Sequence, residues 1–172
     1  YSIKTALKSK LFKKIYVSTD SKKIQKLSIK FGAECNNLRE KKFASDKTKT
    51  FKVIKNFLAK IDNPPEIICC LYPAAPFVKI DHLKKAYEIL KTNKFLDMVI
   101  PVSEFSNSPL RSLKIQNKFI YPNNLNYFDS NSNSLSKVYY DTGSFYMLRS
   151  KFIKKSKSFF PSKSYPFIVP KN

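Results

Sequence analysis

Glycine, arginine and histidine are all scarce in this chain of 172 residues, and each shortage closes off a class of function. Glycine occurs only at Gly32 and Gly143. A loop that cradles phosphate needs glycines so that backbone N–H groups can approach the anion, and nothing within this stretch can replace one. The one histidine, His82, falls on an expected helix with no evident partner, so a nucleophilic triad is not expected. The three cysteines are Cys35, Cys69 and Cys70. Neighbours on a strand point to opposite faces, so Cys69 and Cys70 do not make a natural metal pair. They read as buried reduced thiols in a cytoplasmic protein, with no zinc site. No apolar run approaches the roughly 18 to 20 residues that span a bilayer. Lys4, Lys8 and Lys10 interrupt the first segment, which therefore does not read as a secretory leader. No membrane partner is expected.

Lysine, by contrast, is abundant. Thirty-three Lys and Arg against 12 Asp and Glu give a formal net charge of +21. That balance would suit nucleic acid or an anionic surface. However, base-edge readout and phosphate forks favour arginine, and arginine occurs only as Arg39, Arg111 and Arg149. The lysines are spread over every segment and form no stripe. The charge reads as a bias of the whole composition, and no specific nucleic-acid partner is expected. A basic binding module is kept as the alternative. The apolar fraction of 42% is that of a folded domain with a core.

Helical and strand patterns alternate along the first hundred residues. Ile3, Ala6, Leu7 and Leu11 recur at helical spacing over Tyr1 to Phe12. Ile15 to Val17 is a short strand, and Asp20 is placed to cap a helix that runs to Gly32. A small strand is expected over Ala33 to Cys35, then a polar loop. Thr48 to Ile61 is helical, with Phe51, Ile54, Phe57, Leu58 and Ile61 on one face, until Asn63-Pro64-Pro65 breaks it. Ile67 to Leu71 is apolar on both faces, as in a central parallel strand. A helix over Ile80 to Leu90 and a strand over Asp97 to Val102 follow. This order predicts an α/β protein, mostly a parallel sheet with helices on both faces. Residues 103–137, rich in Asn, Ser and Pro, read as a loop-rich arm. Val138 to Leu148 returns to strand character around Gly143, where glycine marks a bulge or a close approach. Phe167 to Val169 is a last strand.

In open α/β sheets ligands lie beyond the carboxyl ends of the strands. The stretches there are Ser18–Asp20, Leu38–Thr50, Tyr72–Phe77, Ser103–Arg111 and Tyr140–Tyr146. They offer hydroxyls, lone arginines and aromatics, which suit a sugar, a base or a carboxylate. Each also has a plainer reading. Ser18–Asp20 can serve only as a cap, and Arg39 can pair with Glu40 or Asp46 on the surface. Tyr72 and Phe77 can simply roof the core. Gly143 can be a structural bulge and Asp141 an exposed acid.

Taken as an ordered set, "YSIKTALKSKLFKKIYVSTDSKKI", "FGAECNNLREKKFASD", "CCLYPAAPF", "VIPVSEFSNSPLRSLKI" and "YYDTGSFYM" resemble the acylneuraminate cytidylyltransferases, most closely the pseudaminic acid branch. The fit runs across nearly the whole chain. The "VSTD" run is shared by many sugar nucleotidyltransferases; the "CCxYPxAPF" and "YxDxGxFY" patterns are more specific. The resemblance implies a Rossmann-like nucleotide-diphospho-sugar transferase fold over 1–172, with 103–137 as a dimerisation arm. It implies transfer of a cytidylyl group from CTP to a nine-carbon keto-sugar acid, releasing pyrophosphate, with Mg²⁺ on the phosphates. By the same resemblance Arg39, Thr48 and Thr50 meet the nucleotide. Tyr72, Arg111, Asp141, Gly143, Ser144, Tyr146, Phe159 and Phe160 meet the sugar. No residue in the chain is assigned a catalytic or metal-ligand role.

The sequence departs from the family pattern at Glu40, where proline is usual, and at Ala74, where threonine is usual. It departs again at Ser144 and Met147, where glutamine and tryptophan are usual, and over Asn131–Leu135, which lacks a usual charged pair. The family's phosphate loop and its metal-binding aspartates are expected outside this stretch, before Tyr1 and after Asn172. The segment alone is therefore expected to lack transfer activity, and a catalytically inactive relative is a further alternative. A homodimer is expected from the family.

Overall fold

The computed structural model describes residues 1–131 and 134–170, which form two compact units. The first comprises 1–100 and 143–167; the second comprises the described residues of 101–142 together with 168–170. Positions 132 and 133, within the divergent stretch Asn131–Leu135, lie outside the described residues.

The first unit opens with helix α1 (Ser2–Ser9), which ends in the left-handed residue Lys10, φ 55°. Helix α2 (Lys22–Lys30) is capped by Ser21, whose side chain accepts from Ile24 N, and not by Asp20 as the sequence suggested. Thr19 Oγ1 holds Ser21 N at 3.1 Å, which draws the chain in and brings the serine to the capping position. Gly32, at φ +88°, stops α2 because that backbone conformation costs a side chain strain. The two short strands expected on either side of α2 shrink to a single parallel bridge, Tyr16 to Glu34.

Helix α3 (Thr50–Ala59) buries Phe51, Ile54 and Leu58, at helical spacing. Strand β1 (Ile67–Leu71) leads into helix α4 (Ile80–Thr92), whose Leu83, Ala86 and Leu90 are fully buried. Strand β2 (Met98–Glu104) starts in this unit. Strand β6 (Phe145–Arg149), helix α6 (Ser150–Lys155) and strand β7 (Ser164–Ile168) complete it. Within the second unit lie β3 (Leu113–Gln116), β4 (Phe119–Pro122), α5 (Leu125–Asp129) and β5 (Tyr139–Asp141).

Strand β6 pairs antiparallel with β1, from Ile67↔Arg149 to Leu71↔Phe145, and antiparallel with β2 through Met98↔Leu148 and Val99↔Met147. The expectation of a mostly parallel sheet is corrected on this point. β1 and β2 do run the same way, as their α4 crossover requires. They are not neighbours, because β6 enters between them from far along the chain. All five residues of β6 are buried. Phe145 and Met147 pack against Leu83, Ala86 and Leu90 of α4. The alternation of side chains sends Tyr146 and Leu148 to the opposite face, where α3 and α6 pack on each other. Helices therefore cover both faces.

One charged residue is fixed inside this unit. Arg149 is 1% exposed, and its guanidinium donates to Glu66, to the Leu96 carbonyl at 2.7 Å and to the Leu90 and Asn93 carbonyls. It caps the end of α4 and ties it to the entrance of β1 and β2. The five donors of guanidinium make it suited to that density of acceptors.

In the second unit the end of β2 pairs with β5, Val102↔Asp141 to Glu104↔Tyr139. The β3–β4 hairpin turns at Asn117 and Lys118, both at positive φ (49° and 68°), as the common two-residue hairpin turn requires. Leu113 and Ile115 stand opposite Pro122 and Ile120, so these four share one face. Ile115 is 76% and Ile120 62% exposed.

Candidate functional site

The strand-end corner at Tyr72–Phe77 is anchored by backbone before any side chain is considered. Tyr72 N donates to Ser144 O at 3.0 Å, which extends the β1–β6 pairing by one residue. Ser2 Oγ, at the start of α1, donates to the Tyr72 carbonyl at 3.0 Å and lies 3.3 Å from the Pro73 carbonyl. Proline fixes the next turn of the chain. The Tyr72 side chain thus leaves the sheet from a firm base.

Its hydroxyl meets the hydroxyl of Thr50 at 2.6 Å. Its ring meets Tyr146 edge-on, with centroids 5.6 Å apart. Tyr146 in turn meets Phe159 at 4.8 Å, and Phe159 meets Phe51 at 6.2 Å. Edge-to-face contacts of this kind are the favoured aromatic geometry. The structure therefore brings together Thr50, assigned to the nucleotide, and Tyr72, Tyr146 and Phe159, assigned to the sugar. Phe160, next in the chain, is 61% exposed. Phe51 was missed as a site residue because it belongs to the apolar face of α3; its one distinguishing signal was its place next to Thr50 in the first helical turn.

Arg39 is held to the strand-end turn before α2. Its backbone N donates to Thr19 O at 2.7 Å, and Nη2 donates to Ser18 O at 2.6 Å. The surface ion pair with Glu40 does not form, because Glu40 is engaged by Lys42 at 2.9 Å and Lys60 at 2.7 Å. Hydrogen bonds from Lys60 and Lys42 lower the Glu40 carboxyl to about 2. Arg39 Nε is enclosed and has no acceptor among the described residues. A buried donor without a partner is costly, and a ligand oxygen would relieve it. Thr48 lies in the turn before α3, its N–H donating to Ser45 O at 2.8 Å.

Gly143, at φ +60°, turns the chain between β5 and β6, and a Cβ built on it meets nothing within 4 Å. Conformation, not crowding, calls for glycine there. Ser144 contributes its carbonyl to Tyr72.

The second unit holds Arg111 and Asp141. Arg111 lies over the Phe128 ring at 5.0 Å and donates to the Phe128 carbonyl at 3.3 Å. With Ser106, Asn107, Ser108, Phe128 and Leu135 it lines a pocket of about 490 Å³. Asp141 ends β5 opposite Val102 and is exposed.

Burial pushes the thiol of Cys70 up to about 11 and those of Cys69 and Cys35 upward too, the neighbouring Cys70 adding to the shift of Cys69. Burial, then Lys79 and Lys85, hold the His82 imidazole below its usual value, against a weaker pull from Asp81. Among the described residues no three of His, Cys, Asp and Glu gather where they could hold a metal ion. These residues do not build a magnesium site, so none is assigned to that ion.

The α/β fold is shared with solved nucleotidyltransferase structures. The solved structure of a CMP:2-keto-3-deoxy-manno-octonic acid synthetase complexed with CTP superposes with a TM-score of 0.63, covering 98% of this chain and 79% of that one, at 10% identity. Sequence comparison carries the assignment further. A pseudaminic acid cytidylyltransferase of Campylobacter jejuni is 32% identical over 178 residues, covering 100% of this chain and 75% of that protein. A Helicobacter pylori protein is 34% identical over 167 residues. It is described as a pseudaminic acid cytidylyltransferase and UDP-2,4-diacetamido-2,4,6-trideoxy-beta-L-altropyranose hydrolase. The match covers 95% of this chain, which spans only 32% of that longer protein. The family model described as cytidylyltransferase matches residues 1–167. The chain belongs to the cytidylyltransferase family.

Proposed function

We propose that the protein carries the cytidylyl group of CTP to the anomeric hydroxyl of a nine-carbon keto-sugar acid of the pseudaminic type. The anomeric oxygen attacks the α-phosphorus and forms the new P–O bond. The bond from that phosphorus to the bridging oxygen of the β-phosphate breaks, and pyrophosphate leaves with the electron pair. The hydroxyl proton passes to a base. Among the residues described here, Arg39 grips the cytosine carbonyl, and Thr48 and Thr50 flank the nucleotide. Tyr72, Gly143, Ser144, Tyr146, Phe159 and Phe160 of the first unit belong to the sugar side. Magnesium is the metal we assign to the reaction; when bound it would neutralise charge at the phosphates.

The observation that carries this reading is the aromatic cluster of Tyr72, Tyr146 and Phe159, whose Tyr72 hydroxyl is hydrogen-bonded to Thr50. It offers a rigid aromatic wall with hydroxyls at its rim, which suits a sugar carrying acyl groups. The exposed apolar face of the β3–β4 hairpin supports a homodimer formed through the 103–137 arm. The free thiols suit a reducing compartment, and we place the protein in the cytoplasm.

Competition binding tests the reading against the basic-module alternative. The full-length polypeptide is expected to bind CTP with Mg²⁺ in preference to ATP, GTP and UTP. Equal, weak binding of all four, with random DNA bound in a steeply salt-dependent manner, would replace the enzyme with an electrostatic binding module.

A further inference from the structure

The contacts around Tyr72 close on themselves. Thr50 Oγ1 bonds the Tyr72 hydroxyl at 2.6 Å, and Tyr72 touches Tyr146, Tyr146 touches Phe159 and Phe159 touches Phe51. Phe51 follows Thr50 in the chain, so the first turn of α3 forms both ends of the ring. Tyr146 is 5% and Phe51 7% exposed, so the inner side of the ring is buried. A shift of one member disturbs the contacts of the next.

We infer that the Thr50–Tyr72 hydrogen bond couples nucleotide binding to sugar-acid binding, and that the bound nucleotide fixes Tyr72 as an acceptor towards the sugar. The inference rests on the reading of Thr50 as a nucleotide contact and Tyr72 as a sugar contact. A hydroxyl has one proton to donate and two lone pairs to accept with. In the free protein either hydroxyl can be the donor of the shared bond. The phosphate and base-carbonyl oxygens of a nucleotide only accept, and we take Thr50 to meet one of these and so to donate its proton to the nucleotide. Thr50 then accepts from Tyr72, and the Tyr72 proton is committed to that bond. What remains on the Tyr72 oxygen is acceptor capacity alone. The sugar group that meets it must be a donor, a hydroxyl or the N–H of an acylamino group, and not the carboxylate. The nucleotide thereby prepares the sugar site, and by reciprocity the sugar strengthens the nucleotide.

The experiment uses the full-length polypeptide with CTP and pseudaminic acid in EDTA, so that the two ligands bind without reacting. Calorimetry gives the affinity for each ligand alone and in the presence of the other. Wild type is expected to show at least about fivefold mutual tightening, the lower end of ordinary coupling. Thr50→Ser keeps the hydroxyl and is expected to keep that factor. Tyr72→Phe and Thr50→Val each remove one partner of the bond, and the factor is expected to fall below about twofold. The factor is a ratio within each variant, so a plain loss of affinity for one ligand does not move it. Tyr72→Phe retains the ring and its packing, and its thermal midpoint is expected to stay near that of wild type. Coupling that survives in Tyr72→Phe or Thr50→Val overturns the inference while leaving the enzyme reading intact, as does wild type with no coupling. Wild type that binds neither ligand given singly, in EDTA or with Mg²⁺ restored, removes both.

Discussion

Arg149, 1% exposed, and Glu66, 62% exposed, form an ion pair with one partner inside the protein and the other at its surface. The asymmetry predicts unequal costs. Removing the buried cation with Arg149→Leu strands the Leu90, Leu96 and Asn93 carbonyls that it serves. The expected loss is about 3 kcal/mol or more, from carbonyls left without a donor. Glu66→Gln keeps an acceptor for the guanidinium, which also retains its three carbonyls, and is expected to cost less, about 1 to 2 kcal/mol. Urea unfolding of the two variants checks the difference; equal costs would mean that Arg149 matters only as the partner of Glu66.

The enclosed Nε of Arg39 makes a second prediction. Arg39→Ala is expected to raise KM for CTP by about tenfold or more, the effect of losing a charge-assisted contact. The thermal midpoint should barely move, because Arg39 is not in the buried core. Arg39→Lys is expected to recover little, since a point charge cannot reproduce the fork. An unchanged KM in steady-state assays would return Arg39 to a role in holding the Ser18 turn.

The hairpin face makes a third. If Ile115 and Ile120, 76% and 62% exposed, meet a second copy, Ile120→Lys is expected to yield monomers in sedimentation with an unaltered thermal midpoint. Dimers that persist in Ile120→Lys would place the contact elsewhere.

Cys70 gives a pH prediction. Its thiol is raised from 9.0 to about 11 in the folded protein by burial. The native state then holds a proton that the unfolded state has released between these values. Its contribution to stability is complete below pH 9 and is lost as pH rises towards 11. Urea midpoints at pH 8 and pH 10.5 should therefore fall more in wild type than in Cys70→Ala. Parallel falls would show that the thiol has no part in the alkaline loss.

The helices and the first strand were legible because each carries its own periodicity. Phe51, Ile54 and Leu58 mark α3, and Leu83, Ala86 and Leu90 mark α4, within a few residues of one another. The insertion of β6 was not legible, because β1 and β2 are joined by an ordinary crossover and nothing local announces a third strand between them. Arg149 read only as one of few arginines; its burial depends on carbonyls more than fifty residues away. At the site, residue types suggested Tyr72 and Thr50 separately. Their shared hydrogen bond is a tertiary fact, set by the corner at Pro73 and the start of α3.

The central claim is tested most directly by following pyrophosphate release from the full-length polypeptide with CTP, Mg²⁺ and pseudaminic acid. The account predicts release that requires the sugar acid, one pyrophosphate for each CMP-linked sugar formed, and far less with UTP. No release above the sugar-free control, from protein that binds CTP and unfolds cooperatively, would contradict it and leave a relative that retains the fold without the reaction.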